Sequence, residues 1–146
     1  MKILFIDTET GGLSQNSALI QLSGIVQIGK NEAEVFNFYV KPFLNSEVTD
    51  EALAIQKRTR EEIETFEDEE IVFQKFISIL NKYVDKYDKN DKFILTGYNV
   101  NFDKDVIYRF FKRNGNNFFF SYVQGAVLDP LYLITPLQIL NKLPVL

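Results

Sequence analysis

Residues 3–6 (ILFI) are apolar at four consecutive positions. A strand there has apolar side chains on both faces and belongs near the middle of a sheet. Residues 18–28 (ALIQLSGIVQI) predict a second strand, Gly29-Lys30-Asn31-Glu32 a turn, and residues 34–40 (EVFNFYV) a third strand. So short a connection implies an antiparallel hairpin. Thr59-Arg60-Glu61-Glu62 has the Ser/Thr-x-x-Glu form that opens a helix. Over residues 69–87, Val72, Phe73, Phe76, Leu80, Tyr83, Val84 and Tyr87 recur at spacings of three and four, which predicts a long amphipathic helix. Residues 85–92 (DKYDKNDK) form a solvated break, and residues 93–98 (FILTGY) a short strand. A helix over residues 103–114 sets Val106, Ile107, Phe110 and Phe111 on one side and stops at Gly115. Asp129-Pro130 has the form of a cap and first-turn proline for one more helix, which Pro136 kinks or ends. Three strands followed by strand–helix alternation predict a mixed α/β fold with one sheet.

A length of 146 residues suits a single domain, and no repeat or Pro/Ser-rich linker divides it. The charge of −4 argues against a protein that coats duplex DNA through bulk positive charge, though not against one that grips a strand end with the help of bound cations. With no Cys, the chain has no disulfide, thiol nucleophile or thiolate zinc site. With no His it also lacks the usual general base and transition-metal ligand. Any bound metal is therefore expected to be hard and held by oxygens, Mg²⁺ or Mn²⁺. No signal peptide and no apolar run of about 20 residues is present, so a cytoplasmic protein without a membrane partner is expected.

Asp7-Thr8-Glu9 stands where the central apolar strand runs out. Side chains alternate along a strand, so Asp7 and Glu9 share a face and Thr8 takes the other. Carboxylates about 4 to 7 Å apart repel by roughly a few kcal/mol at an intermediate dielectric, which a shared cation or proton relieves. Strand ends in α/β sheets are also where ligands bind. A pair of divalent metals suited to attack at phosphorus is the reading these acids favour; an exposed acidic loop is the plainer one. Thr10-Gly11-Gly12-Leu13 follows, its glycines suited either to a tight turn or to close approach of a ligand. Asp103 falls at a helix start, where the helix dipole favours a carboxylate, as a third oxygen ligand or an ordinary first-turn Asp. Lys104, Arg109, Lys112 and Arg113 suit a phosphate backbone or, more commonly, a solvated helix face. Phe118-Phe119-Phe120 suits base stacking or, more commonly, a buried strand or core plug.

These segments resemble the motifs of a family. Residues 5–13 (FIDTETGGL) resemble the first motif of the DEDD superfamily of 3′–5′ exonucleases, in its DnaQ-like branch. The superfamily includes the proofreading subunit of the bacterial replicative polymerase and oligoribonuclease. Residues 97–107 (GYNVNFDKDVI) resemble the second motif, and residues 126–133 (AVLDPLYL) the segment that usually carries Leu-Asp-Thr, with Pro130 in place of Thr. The resemblance implies a ribonuclease H-like fold, a mixed five-stranded sheet with helices on both faces. It further implies Asp7, Glu9 and Asp103 as catalytic metal ligands for two divalent cations, Mg²⁺ or Mn²⁺. Thr10, Leu13, Tyr98, Asn99 and Phe102 fall where the family holds substrate, and Asp129 looks like a structural acid. The family's third motif, His-x₄-Asp or Tyr-x₃-Asp, has no counterpart in residues 1–146; Tyr87 and Asp91 match the second spacing but precede the second motif. The expectation is thus an exonuclease domain cut short before that motif, with the C-terminal helices missing.

The implied function is 3′–5′ hydrolysis of single-stranded nucleic acid, DNA rather than RNA, by a two-metal mechanism. The alternative is a catalytically inactive module that binds a nucleic-acid end or a DNA polymerase.

Overall fold

In the computed structural model the described residues are 1–129. The apolar run at residues 3–6 lies inside β1 (Lys2–Thr10), which pairs antiparallel with β2 (Leu19–Ile28) and parallel with β4 (Phe93–Thr96). Its central position is the expected one. Leu4 and Ile6 are buried, whereas Ile3 and Phe5, on the opposite face, are only partly covered among the described residues. β2 turns at Gly29 and Lys30 into β3 (Asn31–Tyr39); Gly29 adopts φ +60°, which a residue without a side chain reaches at no cost. β5 (Val123–Leu128) joins β4 in parallel, so the order is β3-β2-β1-β4-β5. This is the mixed five-stranded sheet that the motifs imply.

Helix α3 (Glu69–Tyr83) buries Val72, Phe73, Phe76 and Leu80, and α4 (Val100–Arg113) buries Val106, Ile107, Phe110 and Phe111. Phe73 meets Phe110 and Phe111 edge-on at 5.2 Å and 5.1 Å, the orientation that aromatic quadrupoles favour. Leu4, Ile6, Leu22, Val26 and Phe36 supply the sheet's side of that core. Ala18 and Ile20 of the β2 end form a second, smaller cluster with Leu53 of α1 (Asp50–Gln56) and Ile63 of α2 (Arg60–Glu64).

Several expected boundaries move. The helix expected to reach Tyr87 stops at Tyr83, because β-branched Val84 is extended (φ −130°, ψ 130°). α4 begins at Val100, three residues before Asp103. α1 was not expected; Thr49 caps it by accepting from the Ala52 N–H at 3.1 Å. The three phenylalanines form no strand, and only one of them plugs the core: Phe119 is buried in the short α5 (Phe119–Tyr122), while Phe118 and Phe120 stay 43% and 49% exposed. The helix expected after Asp129, and the C-terminal segment generally, lie outside the described residues. Among those described, no helix is long and apolar enough to cross a membrane.

Candidate active site

The tip of β1 carries Asp7, Thr8 and Glu9. Alternation holds: Thr8 turns inward and is 8% exposed, while Asp7 is exposed and Glu9 partly so. Asp103, in the first turn of α4 and 5% exposed, reaches the strand from the core side. Its Oδ1 accepts from the Thr8 N–H at 3.0 Å and from the Thr8 hydroxyl at 2.6 Å. Thr8 is therefore the splint between strand tip and helix, a role the sequence reading did not assign to it.

The acids are electrostatically coupled. Burial pushes the Asp103 carboxyl up to about 6, and the negative charge of Asp7 adds to the rise; the two hydrogen bonds from Thr8 oppose it. Burial also raises Glu9, with Asp7 adding and the Arg58 guanidinium opposing. A cation at the tip would relieve both shifts.

The start of α4 is an unusual turn. Asn99 is exposed and left-handed at φ 53°, ψ 41°, a region few non-glycine residues occupy. The Val100 N–H donates to Asp129 Oδ2 at 3.2 Å, so buried Asp129 caps the helix. Gly97 packs against β1 so closely that a Cβ there would sit 2.7 Å from the Ile6 carbonyl oxygen. These contacts lock the second motif's segment to the strand that carries the first.

The expected substrate residues divide between two clefts. One, of about 500 Å³, brings Glu9, Thr10, Leu13 and Phe102 together with Ile55 and Gln56 of α1. Leu13 and Ile55 are 89% and 81% exposed, an apolar pair on the walls of one opening. The Thr10 hydroxyl donates to the Gly12 carbonyl at 2.7 Å, so this side chain is spent on the local turn. Gly11 makes a close approach to backbone instead of a ligand: its carbonyl accepts from Thr49 N–H at 2.7 Å, and a Cβ would meet the Glu47 oxygen at 2.2 Å. Gln56 donates to the Thr10 carbonyl at 2.8 Å, while its buried Oε1 has no partner among the described residues. The second cleft, on the sheet face that the described residues leave partly open, places Asp7 with Tyr98, Phe5, Ile25 and Val35.

Asp7, Glu9 and Asp103 offer only hard oxygen donors, the chemistry of Mg²⁺ or Mn²⁺. Among the described residues no group of three His, Cys, Asp or Glu side chains is gathered to hold a metal ion. Mg²⁺ commonly sits on one or two carboxylates and completes its shell with water and substrate phosphate. The pair on β1 fits that smaller requirement.

The sequence model of the exonuclease family (RNase_T) matches residues 4–123. Similar solved structures include E. coli exonuclease I in complex with a dT13 oligonucleotide, 24% identical over 99% of this chain and 31% of that one, with a TM-score of 0.77. A product-bound exonuclease I is 24% identical over 99% of this chain and 33% of that one, with a TM-score of 0.75. The zinc-bound form of the E. coli exonuclease I–ssDNA complex is 24% identical over 99% and 31%, with a TM-score of 0.77. At this identity the likeness establishes the fold, and the chain spans about a third of the length of these proteins. No match is found among curated proteins.

Proposed function

The chain belongs to the exonuclease family and has its ribonuclease H-like fold, and from that premise we propose that it removes nucleotides from the 3′ end of single-stranded DNA. The observation that carries the reading is the coupling of Asp103 to the Asp7-Thr8-Glu9 tip, with an apolar cleft opening beside Glu9. Asp7 and Glu9 would seat a divalent cation, with Asp103 as a further oxygen donor behind Thr8. When bound, such a cation supplies Lewis acidity at the scissile phosphate and makes water a better nucleophile near neutral pH. Leu13, Ile55 and Phe102 present the apolar walls against which a terminal base would rest. Tyr98, exposed and lining a cleft with Asp7, and its exposed neighbour Asn99 would meet the sugar–phosphate of the same nucleotide. DNA is favoured over RNA because the similar exonuclease I structures hold DNA oligonucleotides.

The test is release of mononucleotides from a 5′-labelled single strand in Mn²⁺ or Mg²⁺, read as a ladder shortening from the 3′ end. Chelation should stop it, and Asp7→Ala should reduce it by about a hundredfold or more, at least the loss typical of residues that merely support a metal ligand. Undiminished release by D7A would refute the assignment. A second reading, a strand-end-binding module without hydrolysis, is favoured by the lack of a three-acid metal group among the described residues. It predicts oligonucleotide binding with no ladder in either metal.

A further inference from the structure

Two features that the sequence offers separately lie side by side in the fold. Lys104, Tyr108 and Lys112 stand four residues apart on α4, forming one stripe in which Lys112 is exposed and Lys104 and Tyr108 are half-buried. Phe120 lies beside that stripe, 5.8 Å from the Tyr108 ring, with the Lys104 ammonium 5.5 Å from its own centroid. Lys112 stands 5.4 Å from the Tyr108 centroid and donates to Asn117 Oδ1 at 2.8 Å. Next in the chain is Phe118, with the Lys86 ammonium 4.2 Å from its centroid; Lys86 is also 5.4 Å from the exposed Tyr87 ring. Cations and rings thus alternate from Lys104, the neighbour of Asp103, toward the far end of α4. At 1.5 Å per residue, the helical part alone covers roughly 12 Å.

Core packing accounts for Phe119 but not for Phe118 and Phe120, which keep nearly half their surface in solvent. The stripe also runs against the charge of the chain, −4 overall. Asp105, Asp85 and Asp88 are its acidic neighbours in sequence. Two of them are engaged in turns: Asp85 Oδ1 accepts from Tyr87 N–H at 3.0 Å, and Asp88 Oδ1 from Asn90 N–H at 2.9 Å. Alternating ammonium groups and open rings match a polymer that alternates phosphates with flat bases.

We propose that this stripe is a track for single-stranded nucleic acid, holding the strand upstream of the 3′ nucleotide at the β1 tip. Lys86, Lys104 and Lys112 meet phosphates, and Phe118 and Phe120 stack on bases. The direction of the track rests on the exonuclease reading; its chemistry does not.

Fluorescence anisotropy with 5′-labelled dT16 and dT4, in EDTA to block hydrolysis, tests it. F118A/F120A and K86Q/K112Q should each weaken dT16 binding by about tenfold while changing dT4 by less than about twofold. The lysine pair should also reduce the salt slope for dT16 by about 1.4, two contacts at about 0.7 each. Wild-type affinity for dT16 in either double variant overturns the proposal, as does an equal loss for both lengths. Mononucleotide release together with unchanged dT16 binding in the variants would sink the track and leave the exonuclease reading intact. Length-dependent loss of binding without any release would do the reverse.

Discussion

Asp103 is ionised at neutral pH against its surroundings. Its folded value, about 6, lies above the ordinary 3.8, so the sign of its linkage is fixed. The stability it contributes is fully present below about pH 4 and is lost as pH rises through 6. Two units correspond to roughly 3 kcal/mol. Asp103→Asn keeps an oxygen to accept from Thr8 and removes the charge. The D103N protein should therefore match wild type near pH 4, exceed it at pH 7 by roughly 1–3 kcal/mol, and show a flatter profile in urea denaturation. Lower stability of D103N than wild type at pH 7 would contradict the burial argument. That Asp7 and Glu9 share a face of the strand tip and that Asp103 lies in the first turn of a helix was legible in the sequence, because strand alternation and helix starts are local patterns. Thr8 was not, since its partner is 95 residues away. Gln56 was hidden for the same reason: it acts on the Thr10 carbonyl, 46 positions back.

At the scale of elements, the start of α4 depends on one left-handed residue. An L-residue there costs about 1–2 kcal/mol, and Asn tolerates the region better than Ala. Asn99→Ala is expected to destabilise the protein by about 1 kcal/mol and Asn99→Gly to leave it near wild type, measured by thermal unfolding. Equal midpoints for the two variants would show that Asn99 is held by something other than its backbone angle. The β2–β3 hairpin and α3 were legible because their apolar periods are long and regular. α1 was not: it has seven residues and a single buried one, Leu53, too little for a period to emerge. β5 also escaped residue patterning, because as an edge strand it buries only Val123 fully and leaves Gln124, Gly125 and Ala126 exposed. Its existence follows from parallel pairing with β4, a nonlocal fact.

For the molecule as a whole, the proposal that the acids at the β1 tip seat a cation predicts that folding depends on dissolved divalent ions. A divalent ion that binds only the folded state stabilises it by about 2.7 kcal/mol at a hundred times its dissociation constant. For a domain of this size that corresponds to on the order of 5–10 °C. Millimolar Mn²⁺ should thus raise the melting temperature well beyond NaCl of equal ionic strength, and Asp7→Asn should remove the difference. Equal melting in the two salts would mean the tip seats no ion. The sheet order has a further bearing on how such a gene can change. β1 is clasped by an antiparallel neighbour on one side and a parallel one on the other, so it cannot slide to absorb an altered length. Unless a bulge took up the difference, losing one codon ahead of Asp7 would exchange inward for outward along the rest of the strand, turning Asp7 and Glu9 toward the core and Thr8 toward water. Losing two would restore the parity. An odd change in length within this strand must therefore be taken up by a bulge, such as the register shift already present between Glu9 and Thr10, whereas the bend at Gly29 and Lys30 lies outside the ladder and takes insertions at little cost.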